Sequence, residues 1–449
     1  MTIRNYLIGV SSSVKPKNNM VLIVFIAIVI TVLVDSQIGI IADFIPEYLT
    51  SPFGISLFVG LTIFSIFSSF FMINYIRRIS SSTAGKYAHF KLIYNLVFIA
   101  QCLISTIIIF VVIQMLAFQE FSIIPLFIIH IVSYGIWIGI LALLTRAFIL
   151  WYKNYNQNIM ILIFAMSMVA YVVNGVFGLV TYIDILIQQD PIITSNHVAY
   201  FPEFSNFSMS DQFNAVSQIM SMLAYILTWI GSVKLLYQNL IRIGRLKFCT
   251  MMIISVICYS LSYPLFVLGY FNPIGNENAM LNILIFSFGG IITGILFGIS
   301  FLSIARTLKT NSIIRNQLML TAYGFLLFYL AGSASASQAA YPPYGLISVS
   351  LIGLSCYLIY SGLYSATQIV SQDNVLLRSI RKSATEQANF LGSIGIAQRN
   401  KELESRVLII AKNLEDEIKE ESGVETSLTE NEVVDYVQYV INEIHVNKK

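Results

Sequence analysis

The chain has 449 residues, of which 57% are hydrophobic and only 11% are charged. About 25% of the residues of an ordinary soluble domain are charged, so this chain has too little charge to cover a soluble protein of its length. The composition excludes a cytosolic enzyme, a secreted disulfide scaffold and a disordered chain, and it predicts a polytopic membrane protein.

Ten apolar segments are long enough, or nearly so, to cross a bilayer, whose core of about 30 Å needs about 20 helical residues. They are 20–41, 54–76, 92–118, 121–145, 158–186, 214–233, 248–270, 280–304, 317–330 and 346–365. Asp35 interrupts the first segment, and the ninth segment is short. We expect an all-α fold, a polytopic α-helical membrane bundle of about ten transmembrane helices with a short cytoplasmic helical tail.

The positions of the charges predict how these helices are oriented. Of the 26 Lys and Arg residues, sixteen lie at the N-terminus and in alternate loops, and the other ten lie in the tail. The nine acidic residues of the body, from Asp35 to Glu277, all lie on the side without basic residues. Ten helices with both termini in the cytoplasm separate these charges completely. We therefore expect a multi-pass protein of the cell (cytoplasmic) membrane that contacts the lipid bilayer.

A repeated motif suggests that the membrane domain is duplicated. The chain divides into a ten-helix transmembrane domain at 1–370 and a cytoplasmic amphipathic tail at 371–449. Within the first, Gly135-Ile-x-x-Gly139 recurs as Gly294-Ile-x-x-Gly298. The recurrence predicts a parallel repeat of 54–186 and 212–333, flanked by the first and last helices, as in some transporters. The alternative is that apolar helices share glycine and isoleucine by chance.

Glycines in two of the apolar segments are predicted to lie at helix contacts, because a glycine lets a neighbouring helix approach closely. The glycines predicted to serve this packing role are Gly135, Gly139, Gly290, Gly294 and Gly298.

The longest outer loop combines acidic and aromatic residues, which could bind a cationic ligand. The residues of this candidate outer ligand loop are Asp190, His197, Tyr200, Glu203 and Asp211. The alternative is an interfacial segment whose aromatic side chains lie among the lipid headgroups.

No catalytic, cofactor-binding or metal-binding pattern stands out in the sequence. His130 is the one histidine inside a predicted membrane helix, so neither a pair of haem ligands nor a metal cluster can be assembled, and we expect a satisfied polar residue there. The near absence of ionisable residues in the helix interiors disfavours an ion-driven transporter. P-loop, G-x-S-x-G and H-E-x-x-H motifs are missing. We expect no enzyme, no cofactor, no metal and no nucleic-acid partner.

The tail differs in kind from the body, with ten basic and fourteen acidic residues. Arg378, Arg381 and Lys382 follow the last apolar segment and are predicted to contact anionic lipid headgroups.

Further along the tail, four apolar residues have the 4-3-4 spacing of a coiled-coil seam. We call them the tail seam, and they are Leu403, Val407, Ile410 and Leu414. Gly392 and Gly395 are predicted to separate this helix from the one before.

A last helix is predicted near the end of the chain, because Thr429 and Glu432 resemble a capping box. Its apolar residues are Val433, Val437, Val440, Ile441 and Ile444. Two heptads are marginal on their own, so the tail helices need to pair with each other, with a second subunit or with another protein. We expect self-association or a cytoplasmic protein partner through residues 397–445. The alternative is a tail that packs on the inner loops.

Two short stretches carry a resemblance to a known group of proteins. They are Leu144-Thr-Arg146-Ala-Phe148-Ile-Leu-Trp151-Tyr and, after the last helix, Ser371-Gln-Asp373-Asn-Val-Leu-Leu-Arg378-Ser-Ile-Arg381-Lys382. In them the chain resembles uncharacterised polytopic membrane proteins of ammonia-oxidising archaea. The resemblance implies a membrane location but no activity, and it carries over no site residue.

These patterns favour a non-enzymatic multi-pass protein that acts as a sensor or scaffold and couples to a partner through its tail. The alternative is a transporter of a neutral or hydrophobic solute, which ten helices and a duplication would suit. A lipid-modifying enzyme is a third reading. A cavity at the midplane would favour transport, and a solid bundle with a dimeric tail would favour signalling.

Overall fold

The computed structural model describes residues 18–41, 46–84, 88–155, 158–194, 209–237, 244–267, 279–307, 312–332, 340–372, 386–422 and 436. This part of the chain is almost entirely helical. Its first half contains α1 (Asn18–Ile41), α2 (Pro46–Leu49), α3 (Pro52–Ala84), α4 (Ala88–Phe118), β1 (Glu120–Ser122), α5 (Ile124–Leu150), a π-helix (Trp151–Tyr155), α6 (Ile159–Ile187) and β2 (Ile192–Thr194). Its second half contains α7 (Met209–Tyr237), α8 (Arg245–Val267), α9 (Ala279–Thr307), α10 (Ser312–Gly332), α11 (Leu346–Gln372) and α12 (Glu386–Ser422).

Each predicted apolar segment lies within, or largely within, one of the helices α1 and α3–α11. Seven helices of the described chain are long and apolar enough to cross a membrane, at 20–39, 52–79, 90–118, 124–153, 159–187, 212–237 and 346–371. Shorter apolar stretches lie in α8 and α9. The protein is therefore a multi-pass membrane protein. The number of ten spans and the cytoplasmic tail stay predictions.

A pair of short strands is added to the expected helical fold. Strand β1 pairs antiparallel with β2, and Phe121 lies opposite Ile193. Both side chains are buried. Gln119 has a φ of 56°, so the chain turns between α4 and β1. The strands link the connection between α4 and α5 to the segment that follows α6.

Helix α11 lies at the centre of the bundle and is buried along its whole length. It contacts α3, α5, α10 and α12. Small residues allow this central position, because a Cβ at Gly353 would lie 3.2 Å from Ile136 of α5, and a Cβ at Gly362 would lie 2.5 Å from the Gln317 carbonyl oxygen of α10.

The glycines of α9 lie against α10. A Cβ at Gly294 would be 3.1 Å from the Leu326 carbonyl oxygen, and a Cβ at Gly298 would be 3.1 Å from that of Ala322. Gly290, one turn earlier, is partly exposed. The two helices therefore approach closely along this ridge.

The matching glycines of α5 do not lie at a helix contact, contrary to expectation. A Cβ at Gly135 or Gly139 would meet no atom within 4 Å. Helix α5 packs through a different face, on which Ile136 and Ile140 are buried. The two copies of the glycine motif thus have different surroundings, and the predicted repeat stays a prediction.

The connection that precedes α11 ends in a buried turn. Tyr341 and Tyr344 of this turn are buried. The Tyr344 hydroxyl donates a hydrogen bond of 2.7 Å to the Gly54 carbonyl oxygen. Gly345 adopts a φ of 94°, which favours glycine and lets the chain turn into α11.

Helix α12 runs without a break through both glycines that were predicted to interrupt it. Gly392 and Gly395 lie inside the helix. At Gly395 a Cβ would collide with the Val370 side chain of α11, so this glycine serves a close contact between helices instead of a break.

Candidate functional site

The C-terminal end of α11 meets α5 and α12 at one junction. Helix α5 changes there into the π-helix, and π turns within helices are frequent at functional sites. Trp151, the first residue of the π-helix, is buried in the junction. Its ring centroid lies 5.4 Å from that of Phe148, edge-on, and 6.3 Å from that of Tyr364, stacked. The junction therefore has an aromatic floor on which α12 lies.

Two side-chain hydrogen bonds join α12 to this floor. The Trp151 indole N–H donates to Gln398 Oε1 at 3.0 Å. The Asn158 amide Nδ2 donates to Ser393 Oγ at 3.1 Å. Asn158 also caps α6, since its Oδ1 accepts the backbone N–H of Met160 at 2.9 Å. The first half of α12 is thus fixed to residues that themselves have fixed positions.

Packing adds to these hydrogen bonds. Gly395 lies directly against Val370, and the neighbouring Ile394 and Ala397 are buried. Burial of apolar surface stabilises by about 25 cal/mol per Å². We call residues 393–400 the anchored half of α12.

Lys401 directly follows the anchored half and is half-buried. Burial lowers the pKa of the half-buried Lys401, and the nearby Arg146 guanidinium lowers it further, whereas Glu404 acts in the opposite direction. The protonated ammonium group of Lys401 is therefore disfavoured at this position. Apolar packing and the two hydrogen bonds hold the anchored half of α12 against the bundle.

The tail seam lies on the second half of α12 and is exposed. The exposed fractions of its side chains are 42% for Leu403, 37% for Val407, 56% for Ile410 and 51% for Leu414. Successive residues of an α-helix are about 100° apart, so the seam lies roughly opposite the buried face of the anchored half. Helix α12 thus binds the bundle with one face and presents an apolar stripe on the other.

The N-terminal end of α11 is held by a carboxylate. Asp35 of α1 is fully buried. It accepts hydrogen bonds from the backbone N–H groups of Gly345 (3.0 Å) and Ser348 (2.8 Å) and from the Ser348 hydroxyl (2.7 Å). The first N–H groups of a helix have no partner within it and favour a negative charge. Asp35 therefore caps the central helix from another helix.

A group of neutral hydroxyls lies between α6, α7 and α10. The Tyr171 hydroxyl contacts that of Tyr329 and lies 3.3 Å from Thr228 Oγ1. Thr228 in turn lies 3.1 Å from Ser167 Oγ. Buried hydroxyls that satisfy one another can exchange these bonds for bonds to a polar ligand.

A neighbouring amide lacks such partners. Gln317 of α10 is fully buried, and neither side-chain atom has a hydrogen-bond partner among the described residues. A buried unpaired amide is costly.

The only buried histidine among the described residues has a structural setting. His130 Nδ1 lies 2.8 Å from the Leu126 carbonyl oxygen. The ring stacks with Tyr134 and lies tilted against Tyr182. Within the described part of the chain, no group of three or more His, Cys, Asp or Glu side chains could hold a metal ion.

Several predicted site residues lie outside the described chain. These are His197, Tyr200 and Glu203 of the outer loop and the basic residues Arg378, Arg381 and Lys382. Of the other outer-loop residues, Asp190 is exposed between α6 and β2, and Asp211 lies in the first turn of α7. The structure thus leaves the proposed outer ligand loop and the headgroup contacts as predictions.

The residues that hold the two ends of α11 were not predicted as site residues. A charge within an apolar segment indicates a buried polar contact, and Asp35 gave such an indication. Nothing in the sequence pairs it with Ser348. No sequence pattern predicted the hydrogen bond between Trp151 and Gln398, because an aromatic residue at a helix end can make many different contacts.

The chain matches no known family model, and the comparisons with curated proteins and with solved structures found no match.

Proposed function

We propose that the protein is a non-enzymatic multi-pass protein of the cytoplasmic membrane, a sensor or scaffold whose tail couples the bundle to a cytoplasmic partner. The observation that carries this proposal is the connection made by α11. One end of this helix is held by Asp35 of α1, and the other end packs against α12 at Val370. A packed helix with a separate contact at each end can transmit a displacement between them, because packed helices shift as units.

The hydrogen bonds of α11 suit such movement. Several of its buried hydroxyls donate to carbonyl oxygens of the same helix, as Ser355 (2.6 Å), Thr367 (2.8 Å) and Ser371 (2.8 Å) do. These bonds move with the helix and survive a shift relative to its neighbours. A helix of this kind changes position at a lower cost than one bonded across each interface.

The exposed seam supplies the output surface. A displacement at the C-terminal end of α11 reaches α12 through Gly395 and through the bond between Trp151 and Gln398. The tail seam then moves with α12. An apolar stripe on a charged helix is the type of surface that a partner helix recognises.

A transporter of a neutral solute is the second candidate. It is favoured by the hydroxyl group around Tyr171, Thr228 and Tyr329, which could bind a polar uncharged molecule. The position of α11 speaks against it, because this helix fills the centre of the described bundle.

Reconstituted protein distinguishes the two functions. In proteoliposomes, we expect the uptake of glycerol, urea and glucose to equal that of protein-free vesicles. A saturable uptake that depends on the protein, falls with Tyr171→Phe and survives removal of residues 401–449 would overturn the sensor proposal. The truncated protein is the control, because it keeps the anchored half of α12 and loses the seam.

A further inference from the structure

Two buried polar side chains near the end of α11 that contacts α12 lack hydrogen-bond partners among the described residues. They are the amide of Gln317 in α10 and the hydroxyl of Ser365 in α11, whose exposed fractions are 0% and 1%. Gln317 Oε1, Gln317 Nε2 and Ser365 Oγ all lack a bond to the described part of the chain. Buried polar groups of proteins are hydrogen-bonded in the large majority of cases, so these three atoms indicate a partner from outside the described residues.

The hydroxyl of Ser365 differs from the other buried hydroxyls of its helix. A serine or threonine within a helix commonly donates to a carbonyl oxygen of the preceding turn. Ser350, Ser355 and Thr367 of α11 do so. Ser365 makes no such bond to a described residue. Its hydroxyl is therefore available to a partner outside α11.

The packing of α10 against α11 places the two unpaired side chains at the same level. A Cβ at Gly324 would lie 2.7 Å from the Ile359 backbone nitrogen, and a Cβ at Gly362 would lie 2.5 Å from the Gln317 carbonyl oxygen. The contact moves towards the start of α10 as it moves towards the end of α11, so the two helices are antiparallel. Residues three or four positions apart share one face of a helix. Ser365 follows Gly362 by three positions and therefore lies opposite Gln317, on the face that contacts α10.

The surroundings of Gln317 restrict the partner to a small neutral molecule. The close approach of the helices at Gly362 leaves little room for a large ligand between them. An amide and a hydroxyl supply hydrogen-bond donors and acceptors but no charge, whereas a buried ion needs a charged partner. Arg315, two positions before Gln317, is exposed. Buried water molecules make about three hydrogen bonds to polar groups that otherwise lack partners, and the two facing side chains offer such a set.

We infer that Gln317 and Ser365 hold internal water that bridges α10 and α11. Gln317 Nε2 donates to a water oxygen, Gln317 Oε1 accepts from a water hydrogen, and Ser365 completes the bridge. Water can serve all three atoms because each molecule both donates and accepts hydrogen bonds.

The consequence of this site rests on the proposed function. Val370, which contacts Gly395 of α12, lies five positions beyond Ser365. A bridge through water tolerates a change in the distance between two side chains that would break a direct bond, because the water moves with them. The site therefore keeps α11 tied to α10 while the end of α11 shifts against α12.

Radiolytic labelling of the full chain in nanodiscs tests for the water. A short X-ray pulse converts ordered water into hydroxyl radicals, which oxidise the side chains beside it. Ile314 lies one turn before Gln317 on the same face of α10. Ile352 of α11 is buried to the same degree but lies more than three turns from Ser365. We expect Ile314 to be oxidised at least fivefold faster than Ile352, and we expect Gln317→Leu to abolish this difference. Equal rates in the wild type would overturn the inference.

The unfolding equilibrium in detergent tests whether Gln317 and Ser365 share the water. Gln317→Leu and Ser365→Ala should each raise the equilibrium constant for unfolding at least threefold, because each leaves bonding groups without a partner. The double variant should raise it by less than half of the product of the two single factors. Ser355→Ala is the matched control, since its hydroxyl bonds within its own helix, and it should combine with Gln317→Leu to give the full product. If Gln317→Leu instead lowers the constant, the amide has no partner and the inference is overturned.

Native mass spectrometry separates water from other neutral partners. A small organic molecule that stays with the folded protein and leaves on denaturation would overturn the assignment to water, unless Gln317→Leu leaves its binding unchanged. In that case the molecule binds elsewhere and the labelling result stands. None of these assays measures solute uptake or a tail partner, so their failure is distinguishable from a failure of the proposed function.

Discussion

The carboxylate of Asp35 accepts two hydrogen bonds from Ser348, one from its backbone N–H at 2.8 Å and one from its hydroxyl at 2.7 Å. A third bond comes from the Gly345 N–H at 3.0 Å. Asp35 lies on α1, whereas Ser348 lies in the first turn of α11. An acidic residue within an apolar segment thus supplies the cap of the central helix, which explains why a buried charge is tolerated there.

Removal of this cap should destabilise the protein. We expect Asp35→Ala to lower the free energy of unfolding by about 2–4 kcal/mol, because it leaves buried N–H groups without an acceptor. Ser348→Ala should cost about 1 kcal/mol. Thermal unfolding in detergent measures both. Asp184→Ala is the control, since Asp184 accepts an exposed hydrogen bond from Gln188; a loss as large as that of Asp35→Ala would contradict the capping role.

Glycine-to-alanine substitutions should have opposite effects on stability at a tightly packed glycine and at an open one. A Cβ at Gly324 of α10 would lie 2.7 Å from the backbone nitrogen of Ile359 in α11. Gly324→Ala should therefore destabilise by about 1–3 kcal/mol through overpacking. Gly135→Ala meets no atom within 4 Å and should stabilise the helix by about 0.5–1 kcal/mol. The midpoints of thermal unfolding of the two variants test this prediction. A lower midpoint for both would refute the assignment of Gly135 to an open surface.

Anchoring of α12 should fail when Gly395 is enlarged. Gly395→Val places methyl groups against Val370, so the anchored half should leave the bundle. We expect trypsin to cleave after Arg399 and Lys401 at least tenfold faster than in the wild type. Ser405→Val introduces the same side chain at an exposed position of the same helix and should change the rate less than twofold. Equal protection in both variants would mean that α12 is not held at Gly395.

The buried hydroxyls of Tyr171 in α6 and Thr228 in α7 should contribute to stability as a coupled pair. We expect Tyr171→Phe and Thr228→Val each to lower the free energy of unfolding by about 1 kcal/mol. The double variant should lose less than the sum, by about 0.5 kcal/mol or more, because the two side chains share a hydrogen bond. If the losses of the two single variants add up exactly in the double variant, the two side chains do not share a hydrogen bond. Tyr237→Phe, at an exposed site, is the control.

The sequence was sufficient to locate the seven long apolar helices that can cross a membrane, because a run of apolar residues is the physical requirement for crossing a bilayer. It could not show which helix is central. Helices α11 and α7 are both long and apolar enough to cross a membrane. However, α11 is buried along its whole length, whereas only 39% of the apolar stretch of α7 is buried. An apolar side chain satisfies lipid and protein neighbours alike.

The contacts at the ends of α11 could not be predicted from the sequence, for a different reason. Asp35 and Ser348 lie more than three hundred positions apart, and a cap supplied by another helix has no spacing rule. Gly395 illustrates the same limit within one helix. Its type predicted a break, but only the neighbouring Val370 shows that the missing side chain serves a contact.

The central claim is that α11 connects Asp35 to α12. Hydrogen exchange of the full chain in nanodiscs tests it directly, with Asp35→Asn compared against Asp184→Asn. The account predicts that Asp35→Asn speeds exchange of the backbone amides of residues 393–400 at least tenfold and that Asp184→Asn leaves them unchanged. If Asp35→Asn changes exchange only in the first turns of α11, the two ends of this helix are not coupled and the account is contradicted.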